Sequence, residues 1–261
     1  MLVLVLVSIF CVVPAFGQES TDSAVTKLMN ACAEGLTPTS LTLTSVYRSK
    51  YVLGNGVVVA DKPVFQTDLF LTTNSGLTLD LWTSVPADLS DLGEDYATEV
   101  DLYLGWSGKV GDFNLSLGAN YADMYRTLSV ESSDLLILSA ELSRDFHLMP
   151  NLSVSPFLRV ETNFTFDGVV CGDTLPRVGT KFAWNVTDSL TFSGKAMLVY
   201  DPGIYGGDSA LVGSVESSLS WKLGDSATLE FPYVRYVSPI TSVSDGRKGE
   251  FVYGLGISIK F

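Results

Sequence analysis

The stretch Glu250-Phe251-Val252-Tyr253-Gly254-Leu255-Gly256-Ile257-Ser258-Ile259-Lys260-Phe261 carries an apolar side chain at every second position. Phe251, Tyr253, Leu255, Ile257, Ile259 and Phe261 share one face. Between them stand Gly254, Gly256, Ser258 and Lys260, small or polar, with Val252 as the exception. Period two is the mark of a strand with one oily and one wet face. From Leu41 onward the alternation recurs in runs of about ten residues divided by turn-forming residues. It predicts strands over 41–51, 64–73, 77–86, 98–108, 113–122, 134–143, 152–163, 176–185, 190–200, 210–222, 227–237 and 250–261. The count is about twelve, with about ten or fourteen as the even alternatives.

The connections alternate in length. Short ones fall at 74–76, 109–112, 186–189 and 223–226, with a somewhat longer one at 144–151. Longer ones fall at 52–63, 87–97, 123–133, 164–175, 201–209 and 238–249. A soluble sandwich has no need of that alternation, whereas a membrane barrel with short periplasmic turns and long outer loops does. The oily faces agree: Leu77, Leu79, Leu81; Val100, Leu102, Leu104; Leu115, Leu117; Leu136, Leu138, Leu142; Leu211, Val215, Leu219 would meet lipid. Trp106, Phe113, Trp184, Trp221 and Phe261 gather beside the short turns as an aromatic girdle. Beyond the N-terminus no apolar stretch is long enough for a membrane helix. In lipid, strands must then close into a ring, because only closure satisfies every backbone N–H and C=O. The expected fold is all-β: a transmembrane, antiparallel, up-and-down β-barrel over 41–261.

Residues 1–17 are an apolar run broken by Pro14, with Ala15 and Gly17 placed as a signal peptidase requires. No Lys or Arg precedes that run, which fits a translation start upstream of Met1. Residues 18–40 read as a polar periplasmic leader with a short helix over 23–34 and a turn at Thr37-Pro38-Thr39, a short lumen plug being the alternative. The formal charge of -13 argues against nucleic acid as a partner. The topology puts Cys32 and Cys171 at opposite ends of the barrel, so no disulfide between them is expected.

The other strand face carries the ionisable residues. Asp68, Asp80, Glu99 and Asp101 fall on the second to fourth strands; Arg159, Arg177, Lys181 and Lys195 on the seventh to ninth. Arg48, Lys50, Glu141, Glu161, Glu216, Lys222, Glu230, Glu250 and Lys260 share the same parity. Charges in such number need a wet lumen or mutual pairs. Arg48, Asp68, Asp80, Glu99, Asp101, Arg159, Arg177, Lys181, Lys195 and Glu216 are therefore the candidate pore-lining set. In a ring of about twelve strands the acidic and basic groups stand on opposite walls, which would set a transverse field across the passage. Local pairing, such as Arg159 with Glu141 or Glu161, is the alternative.

Catalysis has little to stand on. The one histidine, His147, lies in an expected periplasmic turn with no serine partner in view, and no metal-ligand cluster, phosphate loop or G-x-S-x-G occurs. No enzyme, cofactor or metal is expected. Gly203-Ile204-Tyr205-Gly206-Gly207 reads as a loop.

The closing stretch resembles the last strand of bacterial outer-membrane β-barrels, whose terminal aromatic is read by the assembly machinery and whose strand pairs with the first. That resemblance implies Tyr253 and Phe261 as the assembly signal. Leu43-Thr44-Ser45-Val46-Tyr47-Arg48, a loop ending Asp61-Lys62-Pro63, then Val64-Phe65-Gln66-Thr67-Asp68-Leu69 and Ser75-Gly76-Leu77-Thr78-Leu79-Asp80-Leu81-Trp82-Thr83-Ser84, is similar to the opening of the TorF-like porins. There a Ser-x-Tyr-x-x-Arg strand precedes a loop, a Pro-led strand and a Ser-Gly strand ending near Trp-x-Ser. Here Arg48 follows Tyr47 directly, and Ser49 stands where Gly is usual. The resemblance implies an outer-membrane porin of unspecified solute, exported through a cleaved signal, with lipid, the assembly machinery and small polar solutes as partners. The alternatives are a non-conducting structural or adhesive barrel with a plugged lumen and, more remotely, an outer-membrane lipid hydrolase.

Overall fold

The structure is a computed structural model and describes residues 35–88, 98–124, 134–165, 171–204 and 207–261. The expected signal peptide, Cys32, most of the leader and much of the loops at 87–97, 123–133 and 164–175 lie outside those residues.

In chain order the strands are β1 (Pro38–Arg48), β2 (Tyr51–Val52), β3 (Val58–Ala60), β4 (Val64–Thr73), β5 (Leu77–Pro86), β6 (Glu99–Val110), β7 (Phe113–Met124), β8 (Leu135–Ser143), β9 (Phe146–Met149), β10 (Leu152–Thr165), β11 (Cys171–Asn185), β12 (Leu190–Asp201), β13 (Ala210–Lys222), β14 (Ala227–Pro239) and β15 (Glu250–Lys260). Setting aside β2, β3 and β9, twelve of them form one antiparallel wall in chain order. β15 returns to β1, from Thr42 opposite Lys260 to Arg48 opposite Gly254, and closes the ring. Closure leaves no unpaired edge to solvent or lipid.

The tight turns explain the short connections. Gly111 (φ 62°) opens the two-residue reversal between paired Val110 and Phe113, where a positive φ matches the twist of the strands. Gly76 (φ 81°) sits so close to the next hairpin that a Cβ there would stand 2.0 Å from the Ser107 carbonyl oxygen.

Register puts the alternation to use. Odd-numbered positions of β4 and β5 and even-numbered positions of β6 point outward, and Leu79, Leu81 and Leu102 are exposed there, as are Leu117, Leu138, Leu158, Val178, Leu198, Val215 and Leu255 around the ring. So much exposed aliphatic surface belongs against lipid rather than water. Strands of about ten residues at ~3.3 Å each, tilted by ~40°, span about 25 Å of hydrocarbon. Phe113, Trp184, Trp221 and Phe261 are exposed at the short-turn end, as expected. A second belt of Phe65, Tyr200, Tyr236, Phe251 and Tyr253 marks the long-loop end.

Four expectations need correction. The first strand spans 38–48 rather than 41–51, so Pro38 and Thr39 extend it instead of turning. Half of the stretch 144–151 is strand, because β9 continues the line of β8 along β10. His147 consequently lies in β9 opposite Ser153, not in a turn. β11 begins at Cys171, five residues ahead of the expected 176, after a register shift at Asn163 and Phe164.

The loop after β1 departs most. Residues 49–63 do not extend outward but fold into the mouth as the β2–β3 hairpin. Its Val52 joins Phe157, Leu175, Met197, Val199, Ile204, Val212, Val237 and Val252 in a buried apolar cluster. The molecule's main core thus sits inside the barrel at the long-loop end, against β10–β15.

Candidate functional site: the barrel lumen

Every predicted lumen residue lies on the inward face. Arg48 and Asp68 border one cavity of about 360 Å³, with Thr44, Gln66, Glu230 and Ser258. Asp80, Asp101 and Arg159 border a second of about 480 Å³, with Tyr51, Phe70, Tyr103, Asn120 and Glu161. Trp82 lines both. The wall is kept thin where the ring of Tyr103 lies, because a Cβ on Gly105 or Gly118 would meet that ring at 2.5 Å or its hydroxyl at 2.3 Å. Gly254 does the same for Arg48.

The bases are not a free positive wall. Arg159 and Arg177 stand directly opposite each other on β10 and β11, and Glu161 lies between them. It pairs with Arg159 at 2.7 Å and also with Arg177. Lys181 reaches Glu141 at 2.6 Å, Lys195 reaches Glu216 at 2.8 Å, and Arg48 reaches Glu230 at 3.1 Å. The expected opposition of a basic and an acidic wall is therefore corrected: each base has a carboxylate neighbour, and the local-pairing alternative is what the structure shows. Like charges across a strand pair repel unless an opposite charge separates them.

The acids of β4–β6 differ. Asp68, Asp80 and Asp101 each keep one buried carboxylate oxygen without a hydrogen-bond partner. Asp101 uses its other oxygen to accept from Asn120 Nδ2 at 2.6 Å. Glu99, 4% exposed, accepts from the Tyr51 hydroxyl at 2.9 Å. Among the described residues no base is paired with any of these four.

Sequence reasoning missed the hairpin. Its turn, with Gly56 at φ 84°, is closed by Leu53 N–H donating to the Val57 carbonyl at 2.8 Å. Arg235 donates to the carbonyls of Val52 and Leu53 at 2.9 and 3.0 Å, and the backbone at Gly54 lies on the Arg177 guanidinium, 3.1 Å from where a Cβ would be. On the opposite side Tyr51 packs on Trp82, ring centres 5.8 Å apart. The hairpin thus crosses the lumen from β14 to β5. Arg247 locks it from above, donating to the Asn55 carbonyl at 3.2 Å and to Asp201 at 2.6 Å while pairing with Asp245 at 2.7 Å. Asp201 in turn accepts from Asn55 Nδ2. The Arg247 guanidinium draws the Asp245 carboxyl down to about 2, and hydrogen bonds from Ser244 hold Asp208 below its usual range. A signal for the hairpin existed: Met197, Val199, Val212, Val237 and Val252 break the wet face with apolar residues at the same end of four neighbouring strands.

Tyr253 is outward-facing and exposed, and Phe261 N–H donates to the Leu41 carbonyl at 2.9 Å at the seam between last and first strands. Among the described residues no group of three or more His, Cys, Asp or Glu is arranged to hold a metal ion.

No family model matches the sequence, and no curated protein does, so the TorF-like resemblance rests on residues 43–84. Solved structures do match. The NanC porin is 15% identical, with 85% of this chain and 100% of that chain covered and a TM-score of 0.51. The KdgM porin is 10% identical, covering 85% and 99%, with a TM-score of 0.53. An outer-membrane channel from Pseudomonas putida F1 is 12% identical, covering 87% and 98%, with a TM-score of 0.50. The fold is that of the porin-like outer-membrane barrels. One of the KdgM structures holds disordered oligogalacturonate.

Proposed function

We propose that the chain is an outer-membrane channel for passive diffusion of small polar solutes, with its path along the inward residues of β4–β10 and, in the first cavity, of β1 and β13–β15. The observation that carries this reading is the pair of polar cavities meeting at Trp82 beneath a hairpin that crosses the lumen without filling it. About eight strands are filled by their own side chains and about sixteen leave a wide pore; twelve leave room that a loop can narrow. The oligogalacturonate complex of the KdgM porin supports a polar solute, and the sequence of residues 43–84 supports a TorF-like porin. No enzymatic role is proposed. The cleaved signal at residues 1–17 and the Tyr253/Phe261 assembly signal belong to the same reading, and deleting Phe261 should lower the heat-modifiable, folded fraction in cell membranes.

Refolded protein in a planar bilayer should give discrete conductance steps in KCl. Absence of steps from protein shown to be folded would favour the second reading, a plugged structural barrel. What speaks for that alternative is the Arg247 clasp and the dry cluster around Val52.

A further inference from the structure

We infer that the larger cavity is a subsite for a small organic cation carrying N–H donors, such as an alkyl diamine; this rests on the channel reading for its entry route. The cavity of about 480 Å³ has a size suited to small molecules. Its apolar lining is Tyr51, Phe70, Trp82 and Tyr103, with Ile137 as the one aliphatic member. Its polar side on β5–β7 is built of acceptors with unmet capacity. Asp80 Oδ1, Asp101 Oδ1 and Asn120 Oδ1 are all buried and none has a hydrogen-bond partner. A neutral sugar would offer donors there but leave the carboxylate charge uncompensated, and an anion would be repelled. An ammonium group supplies up to three donors and a positive charge together. Aromatic faces attract the same charge through their quadrupoles.

Arg159, which also borders the cavity, does not cancel this preference. It is held by Glu161 at 2.7 Å and lies 3.7 Å from Glu141. Two carboxylates thus stand between the Arg159 charge and the cavity's acidic side, although Arg177 and Lys181 share them.

Trp82 is a built-in reporter, because it lines the cavity while Trp184 and Trp221 are exposed on the outer face and Trp106, also outward, donates its indole N–H to the Ser75 carbonyl at 2.9 Å. Folded protein in detergent is titrated with putrescine, with glucose and KCl as controls, while tryptophan fluorescence is followed. A saturable change confined to putrescine is expected, lost in Trp82→Phe and weakened at least tenfold in the Asp80→Asn/Asp101→Asn double variant. No saturable change, or one that survives in the double variant, overturns the inference. In bilayers under a KCl gradient, wild type should be cation-selective and the double variant several-fold less so. Anion selectivity or none overturns the inference while leaving the channel reading intact. Saturable binding without conductance keeps the subsite and removes the channel.

Discussion

The two halves of the lumen are built on opposite principles. At the long-loop end, against β11–β15, the interior is dry and filled: Val199, Val212 and Val237 are fully buried and the hairpin packs on them. Farther from that end, against β4–β7, it is polar and holds cavities, with Asp68, Asp80, Asp101 and Asn120 each keeping one buried oxygen without a hydrogen-bond partner. The same alternating strands make both halves, so strand periodicity alone does not decide whether a lumen is a passage. The chain places apolar side chains inward on one side and thereby gives its first loop something to bury. Each such valine contributes roughly 1.5–3 kcal/mol when fully covered, enough in sum to hold a short hairpin that could not fold alone.

Removing the filled half should produce the largest effect. Replacing residues 51–60 by a short Gly-Ser linker should raise single-channel conductance several-fold, with folding checked by heat-modifiable migration. Unchanged conductance would mean that the hairpin does not narrow the path.

Unlatching comes next. Arg247→Ala removes the ion-pair partner of Asp201, which is fully buried, and frees the Asn55 carbonyl from the clasp. Breaking such a buried pair costs on the order of 3 kcal/mol. Frequent transitions between conductance levels, and faster protease cleavage within 49–63, are expected. Quiet traces and intact protein would show that the apolar cluster holds the hairpin unaided.

A smaller effect follows from the ion pairs. Glu161→Gln leaves Arg159 and Arg177 facing each other without the carboxylate between them. Because Arg159 is about one-third exposed, solvent screens part of the loss, and a drop on the order of 2 kcal/mol is expected. The reversal potential should move toward anions. The complementary Arg177→Gln/Lys181→Gln variant should move it toward cations. No movement in either would make these pairs purely structural.

The smallest effect is on pH. Asp245 sits at about 2 against the usual 3.8 because Arg247 hydrogen-bonds its carboxylate. A carboxyl depressed in the folded state contributes stability that is complete above the unfolded value and lost as pH falls through the folded one. The Arg247–Asp245 pair should therefore hold from neutral pH to about 4 and weaken between 3.8 and 2. In Asp245→Asn that acid-dependent increase in mouth fluctuations should be missing; its persistence would assign the transition to other groups.

Much of this was legible in residue order. β4, β5 and β13 match the alternation of 64–73, 77–86 and 210–222 to the residue, and the inward parity of all ten candidate lumen residues follows from the same rule. Period two is a property of each strand by itself, and turn residues such as Gly76 and Gly111 mark its ends locally.

Charge pairing was not legible. Which carboxylate meets Lys181 depends on β8 and β11 flanking β10, so Glu141 reaches across a strand from forty residues away. Nor was the hairpin legible in its own residues, because the sequence of 49–63 is an ordinary polar-and-valine loop whose destination is set by distant partners. Val52, Asn55 and Gly54 find Val252, Asp201 and Arg177 only once the barrel has closed. The sequence by itself determined the wall, its two faces and its turns, since these follow from neighbours a few positions apart. Only the tertiary structure decided which half of the lumen is filled, because that depends on groups that closure alone brings within reach.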